Sequence, residues 1–338
     1  MARKTGINAK VEVEMGLTTY SMAEISSVTS PSADVNKKFL VVAERFTALE
    51  DYEPIVRLDG VISGCEMAPY STNNSVEISS GSYYLKGVKV SLSATTGESL
   101  ARPTQSGYVL VTAISVDADG AVTKTAGTEG VTSTTRGAAG GPPFIPVDEV
   151  LLGYVTLSYK ASSVGAVVED TEIDNASKER ASIPGYSIIY HDEDNLKGVV
   201  DFSSALDTIH TGSTTRNVYS QYWAPADFVK IDDAKDCSWD EAIDVKTSLA
   251  YGDGTSRAAT GTKSWTASFD FYFDKVKGDI IDIIKGSKRW FKFYPDENNT
   301  DHMTGRAIIA INRNNPVDDT ISGSATLTGD GDILSKDA

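Results

Sequence analysis

The chain has 338 residues, 40% of them hydrophobic and 23% charged, with 47 acidic against 31 basic side chains and a formal net charge of -16. That is enough apolar material for folded cores, about two domains' worth at roughly 150 residues each. It excludes a binder that neutralises DNA phosphates with a cationic surface, but not a surface that DNA slides past.

The N-terminal MARKTGINAKVEVEMGL is charged and has no apolar h-region, so no secretory signal is expected. No apolar run approaches the roughly 20 residues that span a bilayer, so no membrane partner is expected. Cys65 and Cys237 lie far apart and outside any CxxC pattern. They suggest neither a zinc site nor a disulfide framework, although one long-range disulfide stays open to them.

Gly, Ser, Thr, Asn and Asp punctuate short runs rich in Val, Ile, Tyr, Phe and Thr, the pattern of many short strands. The expected fold class is mainly β. Residues 1–50 read as an N-terminal arm with helix-compatible stretches such as NKKFLVVAERFTALED, although Phe39–Ala43 also reads as a strand. Residues 51–165 read as an additional β-rich domain with strands at Ser82–Ser93, Tyr108–Val116 and Val150–Tyr159. VDADGAVTK (116–124) reads as a hairpin turning at Ala118–Gly120, since Asp-Gly favours positive φ. The Gly-Pro segment 140–143 is a stiff turn, after which Pro146–Leu157 reads as a buried strand. Residues 166–198 read as a connector carrying a strand at Tyr186–Tyr190.

The last unit, 199–338, carries strands at Ser264–Asp274, Arg289–Tyr294, Thr304–Asn312 and Thr320–Thr328. In Ser264–Asp274, Trp265, Ala267, Phe269, Phe271 and Phe273 share one face; Ser268 and Asp270 lie on the other, mostly polar one. A short helix follows, capped by Asp274 and ended by Gly286, with Val276, Ile280, Ile283 and Ile284 on one face. The expected core of the unit is Trp265, Phe269, Phe271, Ile280 and Ile284. In Thr320–Thr328, Ile321, Ala325 and Leu327 face one way. Ser322, Ser324 and Thr326 belong to an opposite stripe of hydroxyls.

Catalytic patterns do not emerge. His191, His210 and His302 sit in polar, loop-like contexts and read as surface histidines. There is no G-x-S-x-G elbow. GDGTSR (252–257) lacks the Lys-Ser/Thr ending of a phosphate loop. The acidic segments 191–194, 117–120 and 329–332 read as solvated turns, without the regular oxygen spacing of a calcium loop. The expectation is a structural or binding protein with no cofactor and no enzymatic activity.

The order of elements across roughly 225–333 resembles the tail tube (major tail) proteins of long-tailed bacteriophages. The resemblance is carried by FVKIDDAKDCSWDEAIDVKTS, the loop YGDGTSRAATGTK, the strand SWTASFDFYFD with its helix, KRWFKFYPD, and NPVDDTISGSATLTGDGDI. The central RPTQSGYVLVTAISVDADGAVTKTAGTEG and AAGGPPFIPVDEVLLGYVTL resemble a β-domain of phage structural proteins, and IHTGSTTRNVYSQYWAPADF resembles tail-protein linker. The minimal tube protein is one small domain, so about 200 residues here are additional.

The resemblance implies a tail-tube-like β-sandwich or barrel with one packed helix, plus a second β-rich domain. It implies hexameric rings, which need a heterologous interface, stacked into a tube through which DNA passes. The other partners would be tape measure, terminator and baseplate proteins. The protein would sit in the virion tail after assembly in the host bacterial cytoplasm. The long loop of this family reaches a neighbouring ring, a role carried to Tyr251, Asp253, Thr255, Arg257 and Thr262. A polar or acidic wall lets DNA slide, which makes Ser268, Asp270, Ser322, Ser324 and Thr326 candidates for the lumen face. Alternatives are a secretion-system tube, another tail ring such as a terminator or baseplate component, or a receptor- or carbohydrate-binding module using Trp223 and Trp239 as an aromatic platform. A cell-wall hydrolase is the remaining class.

Overall fold

The computed structural model describes residues 9–162, 166–192, 196–213, 216–231, 234–248, 257–272, 280–296, 300–314 and 322–336. In chain order the first strands are β1 (Lys10–Glu14), β2 (Leu17–Ser27), β3 (Lys38–Leu40), β4 (Ile55–Leu58), β5 (Gly60–Gly64), β6 (Met67–Pro69), β7 (Ser75–Ile78), β8 (Gly81–Leu85), β9 (Val88–Leu92) and β10 (Thr95–Ser99). Then come β11 (Val109–Val116), β12 (Val122–Ala126), β13 (Val150–Ser158), β14 (Ile173–Asp174), β15 (Tyr186–Ile189), β16 (Val199–Phe202), β17 (Val218–Pro225) and β18 (Phe228–Lys230). The chain ends with β19 (Lys235–Ser248), β20 (Arg257–Tyr272), α1 (Ile280–Ile284), β21 (Lys288–Tyr294), β22 (His302–Asn314) and β23 (Ser322–Lys336). The fold is mainly β, as the turn-punctuated pattern predicts.

Sheet membership cuts across the segments read from the sequence. The largest sheet has the order β18-β1-β21-β22-β23-β20-β19, and a six-stranded sheet has the order β15-β16-β3-β2-β17-β4. So β1 joins the C-terminal strands, while β16 and β17 join N-terminal ones. Three smaller sheets, β5-β8-β9, β10-β7-β6 and β12-β11-β13-β14, surround a separate core that includes Tyr83, Ile114, Leu152 and Val155. Such non-local antiparallel pairing leaves no local mark on the sequence.

The arm is not helical. Residues 10–40 form β1, β2 and β3, with one 3-10 turn at Ser32–Asp34. Phe39 and Val41 are buried, Phe39 pairs with Val200, and the Val41 N–H donates to Gly198 O at 3.1 Å. Alternating burial on a sheet overrides the helix-compatible composition of NKKFLVVAERF. Ser82–Ser93 is two strands rather than one: Lys86 and Gly87 both take positive φ (53° and 72°), the geometry of a two-residue hairpin turn. The hairpin at 116–124 forms as read, β11 pairing with β12 around Gly120. The expected connector contains β14 and β15.

The core of the seven-stranded sheet gathers Val11, Val13, Trp265, Phe269, Phe271, Phe291, Phe293, Ala325 and Leu327 with Ile281 and Ile284 of α1. Ile280 packs partly buried against it. The helix face differs from the expected one: Ile281 is buried and Ile283 is 58% exposed. With one described turn and a half, the approach angle of the helix, not its periodicity, selects the buried pair. Gly286 (φ +72°) ends it, and its N–H donates to Ile309 O. Phe273, Asp274 and Val276 lie outside the described residues.

Phe271 lies directly opposite Gly323 in the β20–β23 ladder, and Trp265 lies one residue beyond its first pair, Thr266 with Thr328, beside Gly329. A Cβ on Gly329 would sit 2.4 Å from Trp265 Nε1, and one on Gly323 would sit 2.5 Å from Phe271 Cζ. Each ring therefore packs against the neighbouring backbone closely enough that a Cβ there would clash, a packing that glycine permits.

Candidate assembly face and edges of the seven-stranded sheet

Four adjacent strands, β19, β20, β23 and β22, present their second face away from this core. Register joins the two polar stripes read separately in the sequence. Ser238 pairs with Ser268, Ser268 with Thr326, and Thr326 with Ala310. Asp240, Thr266, Thr328 and Ile308 form the next row; Lys235, Asp270, Ser324 and Asn312 form a third. Tyr272 pairs with Ser322 at the end of the face. The candidates Ser268, Asp270, Ser322, Ser324 and Thr326 thus share one face of one sheet. Asp270, Ser324 and Thr326 are exposed; Ser268 and Ser322 are half-buried. Alternation at period two puts every second residue there, and register with no bulge between Thr266 and Tyr272 keeps the hydroxyls in rows.

The electrostatics of this face are mild and negative. Ser238 and Ser268 hydroxyls lie 2.9 Å apart and bond to one another. Asp236, Asp240 and Asp270 are exposed carboxylates at its β19 side. Three cations near it are matched by acids: Lys288 and Arg306 both pair with Asp330, at 2.8 and 3.0 Å, and Arg313 pairs with Asp282. Burial, with Asp236 and Asp270 nearby, pushes the Cys237 thiol up to about 11, which keeps it protonated and unreactive. Cys65 is likewise buried, and both cysteines are free, so the open disulfide does not form.

The edge is the second feature. β19 runs for fourteen residues, and its outer side pairs with no strand among the described residues. A strand of that length without proline is a template for strand addition. The third feature is a ribbon. β23 joins β20 only from Thr266 onward, whereas β19 and β20 stay paired out to Ser248 and Arg257. Residues 242–248 and 257–264 therefore leave the sheet as a two-stranded arm. Arg257 and Thr262, expected in a loop, are strand residues, because the ladder with β19 continues through them. Tyr251, Asp253 and Thr255 lie outside the described residues.

Other motifs resolve into structure. His210 and His302 are buried rather than at the surface, and His191 is half-buried. His210 Nε2 meets Glu149 O at 2.9 Å. The His302 ring stacks on Tyr294 with centroids 4.9 Å apart. Short polar contexts hid this: Trp290 meets His191 and Glu149 meets His210 from far along the chain, while Tyr294 reaches His302 from the adjacent strand. Asp117 Oδ1 accepts the N–H groups of Asp119 and Ala121, a turn cap. Trp223 is half-buried against Tyr52, and Trp239 packs against the main core, so neither forms an open platform. Among the described residues no group of three or more His, Cys, Asp or Glu side chains is placed to hold a metal ion. No described helix is long and apolar enough to cross a membrane. Compared with known proteins, the chain matches no family model and no curated sequence.

Proposed function

We propose that this chain is a structural subunit that assembles into stacked rings, forming a tube whose bore is lined by the hydroxyl face of β19, β20, β23 and β22. The observation that carries the reading is that face: four strands wide and bordered by carboxylates, with Lys288, Arg306 and Arg313 beside it paired to acids. Such a wall keeps a polyanion hydrated and offers it no cationic trap. Three further features support it. The edge of β19, which pairs with no strand among the described residues, suits a heterologous contact with the next subunit that extends one sheet around a ring. The β19–β20 ribbon has two strands where it leaves the sheet; a two-stranded ribbon is marginal alone and gains most from packing on another subunit or ring. The element order of 225–333 resembles phage tail tube proteins, which suggests hexamers, passage of DNA, and contacts with tape measure, terminator and baseplate proteins in a virion tail.

Negative-stain electron microscopy of the purified chain across a concentration series tests this. Hollow rings or tubes are the expected result. Particles that stay monomeric at all concentrations, even with pre-formed tail ends added as initiators, would sink the reading. Replacing residues 243–262 with a two-residue turn is expected to leave the fold intact and abolish stacking, read as rings without tubes.

A charge test follows for the bore. The double variant Ser268→Lys, Thr326→Lys places two ammonium groups on each subunit's hydroxyl face. Assembly is expected to persist, while short duplex DNA, which the unaltered tubes leave free, binds in a salt-sensitive manner. Equal DNA retention by both forms in low salt would place the face elsewhere than on the bore.

A further inference from the structure

The units around β5 to β14 are an insertion. The chain leaves β4 through Asp59 and Gly60, builds a core from residues 61–173, and returns through Glu179 and Arg180 to β15. The outgoing and returning crossings lie side by side. The Val61 N–H donates to Glu179 O at 2.7 Å, and the Ala181 N–H donates to Val61 O at 3.1 Å. Arg216, just before β17 in the six-stranded sheet, ties both crossings together. Its guanidinium donates to Asp59 O at 2.7 Å and to Arg180 O at 2.9 Å, and its Nε lies 3.4 Å from Glu179 Oε1.

Two carboxyls are enclosed at this root. Asp59 is 3% exposed and Glu179 is 8% exposed. Asp59 Oδ1 and Glu179 Oε2 are buried without a hydrogen-bond donor. A single guanidinium thus faces two acids. His210, Lys178, Lys86 and Arg57 nearby have partners of their own. His210 Nε2 is 3.9 Å from Glu179 Oε2 but bonds Glu149 O. Lys178 pairs with Glu66 at 2.6 Å, Lys86 with Asp148 at 2.9 Å, and Arg57 donates to Gly87 O at 2.7 Å. The Tyr219 phenol, pushed up by burial and then by Asp59, stays neutral and cannot neutralise either acid.

We propose that Asp59, Glu179 and Arg216 form a proton-dependent clasp at the root of the inserted module, closed while one carboxyl is protonated and loosened when both are ionised. Burial, and for Asp59 the neighbouring Glu179, pushes each carboxyl up to about 7; Arg216 opposes the rise at both. The direction follows from linkage. An acid whose value is raised in the closed state stabilises that state fully below its solvated value near 4. The contribution is lost as pH rises through about 7. Near-neutral pH therefore lies at the edge of the transition, and the module gains freedom to swing on the alkaline side. The clasp is independent of the tube reading, since it concerns the attachment of the module alone.

Hydrogen exchange with residue-level mass spectrometry tests it on the full chain. The amides of Val61 and Ala181 report the crossing; those of β11 and β13 report the module's interior. After correction for intrinsic exchange, protection at the crossing is expected to fall by about tenfold or more between pH 5.5 and 8 relative to the interior amides. Asp59→Asn is expected to flatten that dependence. Carbon-13 carboxyl titration of the unaltered protein provides a second readout that needs no variant. Constant relative protection, or both carboxyls titrating below pH 5, overturns the clasp.

Discussion

Trp265→Ala is expected to destabilise the chain by about 3–5 kcal/mol, the cost of emptying a large aromatic site in a packed core. Trp265 is 3% exposed and edge-on to Phe293, with ring centroids 6.2 Å apart. Its Nε1 donates to Gly331 O at 3.0 Å. The substitution removes that bond and leaves a void over Gly329 that neither rigid strand closes. The companion change Gly329→Ala attacks the same packing from the opposite side, and overpacking there is expected to cost about 1–3 kcal/mol. Urea unfolding would show both as lowered midpoints at unchanged slope, with Thr266→Ala on the exposed face as a near-neutral reference. A Trp265→Ala midpoint within error of the parent would mean that the ring does not anchor this core.

The second large effect is expected at Glu14, the last residue of β1 and fully buried where the seven-stranded and six-stranded sheets meet. Its carboxylate accepts the Thr47 hydroxyl and the N–H groups of Ala48 and Trp290, the latter two at 3.3 Å. Around it, the Trp290 indole donates to Phe46 O at 2.8 Å and Arg289 donates to Glu14 O at 2.9 Å. Glu14→Ala strands two buried backbone donors and a hydroxyl, for an expected loss of about 3 kcal/mol. Glu14→Gln separates charge from hydrogen bonding. Burial raises the Glu14 carboxyl above its ordinary value of 4.5, outweighing the Thr47 hydrogen bond and the other groups that lower it. A raised acid stabilises the fold fully below its unfolded value and loses that contribution as pH rises through the folded one. The parent's stability is therefore expected to decline above pH 4.5 by an increment absent from Glu14→Gln. Parallel pH–stability curves for the two proteins would contradict this.

Glu14 also shows why sequence patterns stop short. KVEVE alternates, and the alternation predicts that Val11 and Val13 share one face and Glu12 and Glu14 the other. Glu12 pairs with Lys10 at 2.8 Å in the ordinary way of a polar face. Nothing in the pentapeptide says that Glu14 is roofed by residues 46–48 and Trp290, because the roof arrives from about 30 and about 275 residues away. The same holds for the hydroxyl face. Each stripe is legible alone, Ser268–Asp270 in one strand and Ser322–Thr326 in another. Their fusion into rows needs the β20–β23 register.

What the amino-acid sequence determined by itself was local and periodic. Two-residue alternation marked β20 and β23 and sorted their buried from their polar faces. Asp-Gly placed a hairpin turn, Gly286 closed the short helix, and the acidic balance set the sign of the surface. These follow from backbone geometry acting over a few residues. The tertiary structure alone decided which strands are neighbours. It placed β1 with the C-terminal sheet and set residues 10–40 as strands. It carried β19 and β20 out as a ribbon and brought Asp59, Glu179 and Arg216 together at the root of an inserted module. The physical reason is that ladder bonds are chemically identical in every strand. Choosing among partners falls to side-chain packing and to the burial of charge, and both are properties of the assembled chain.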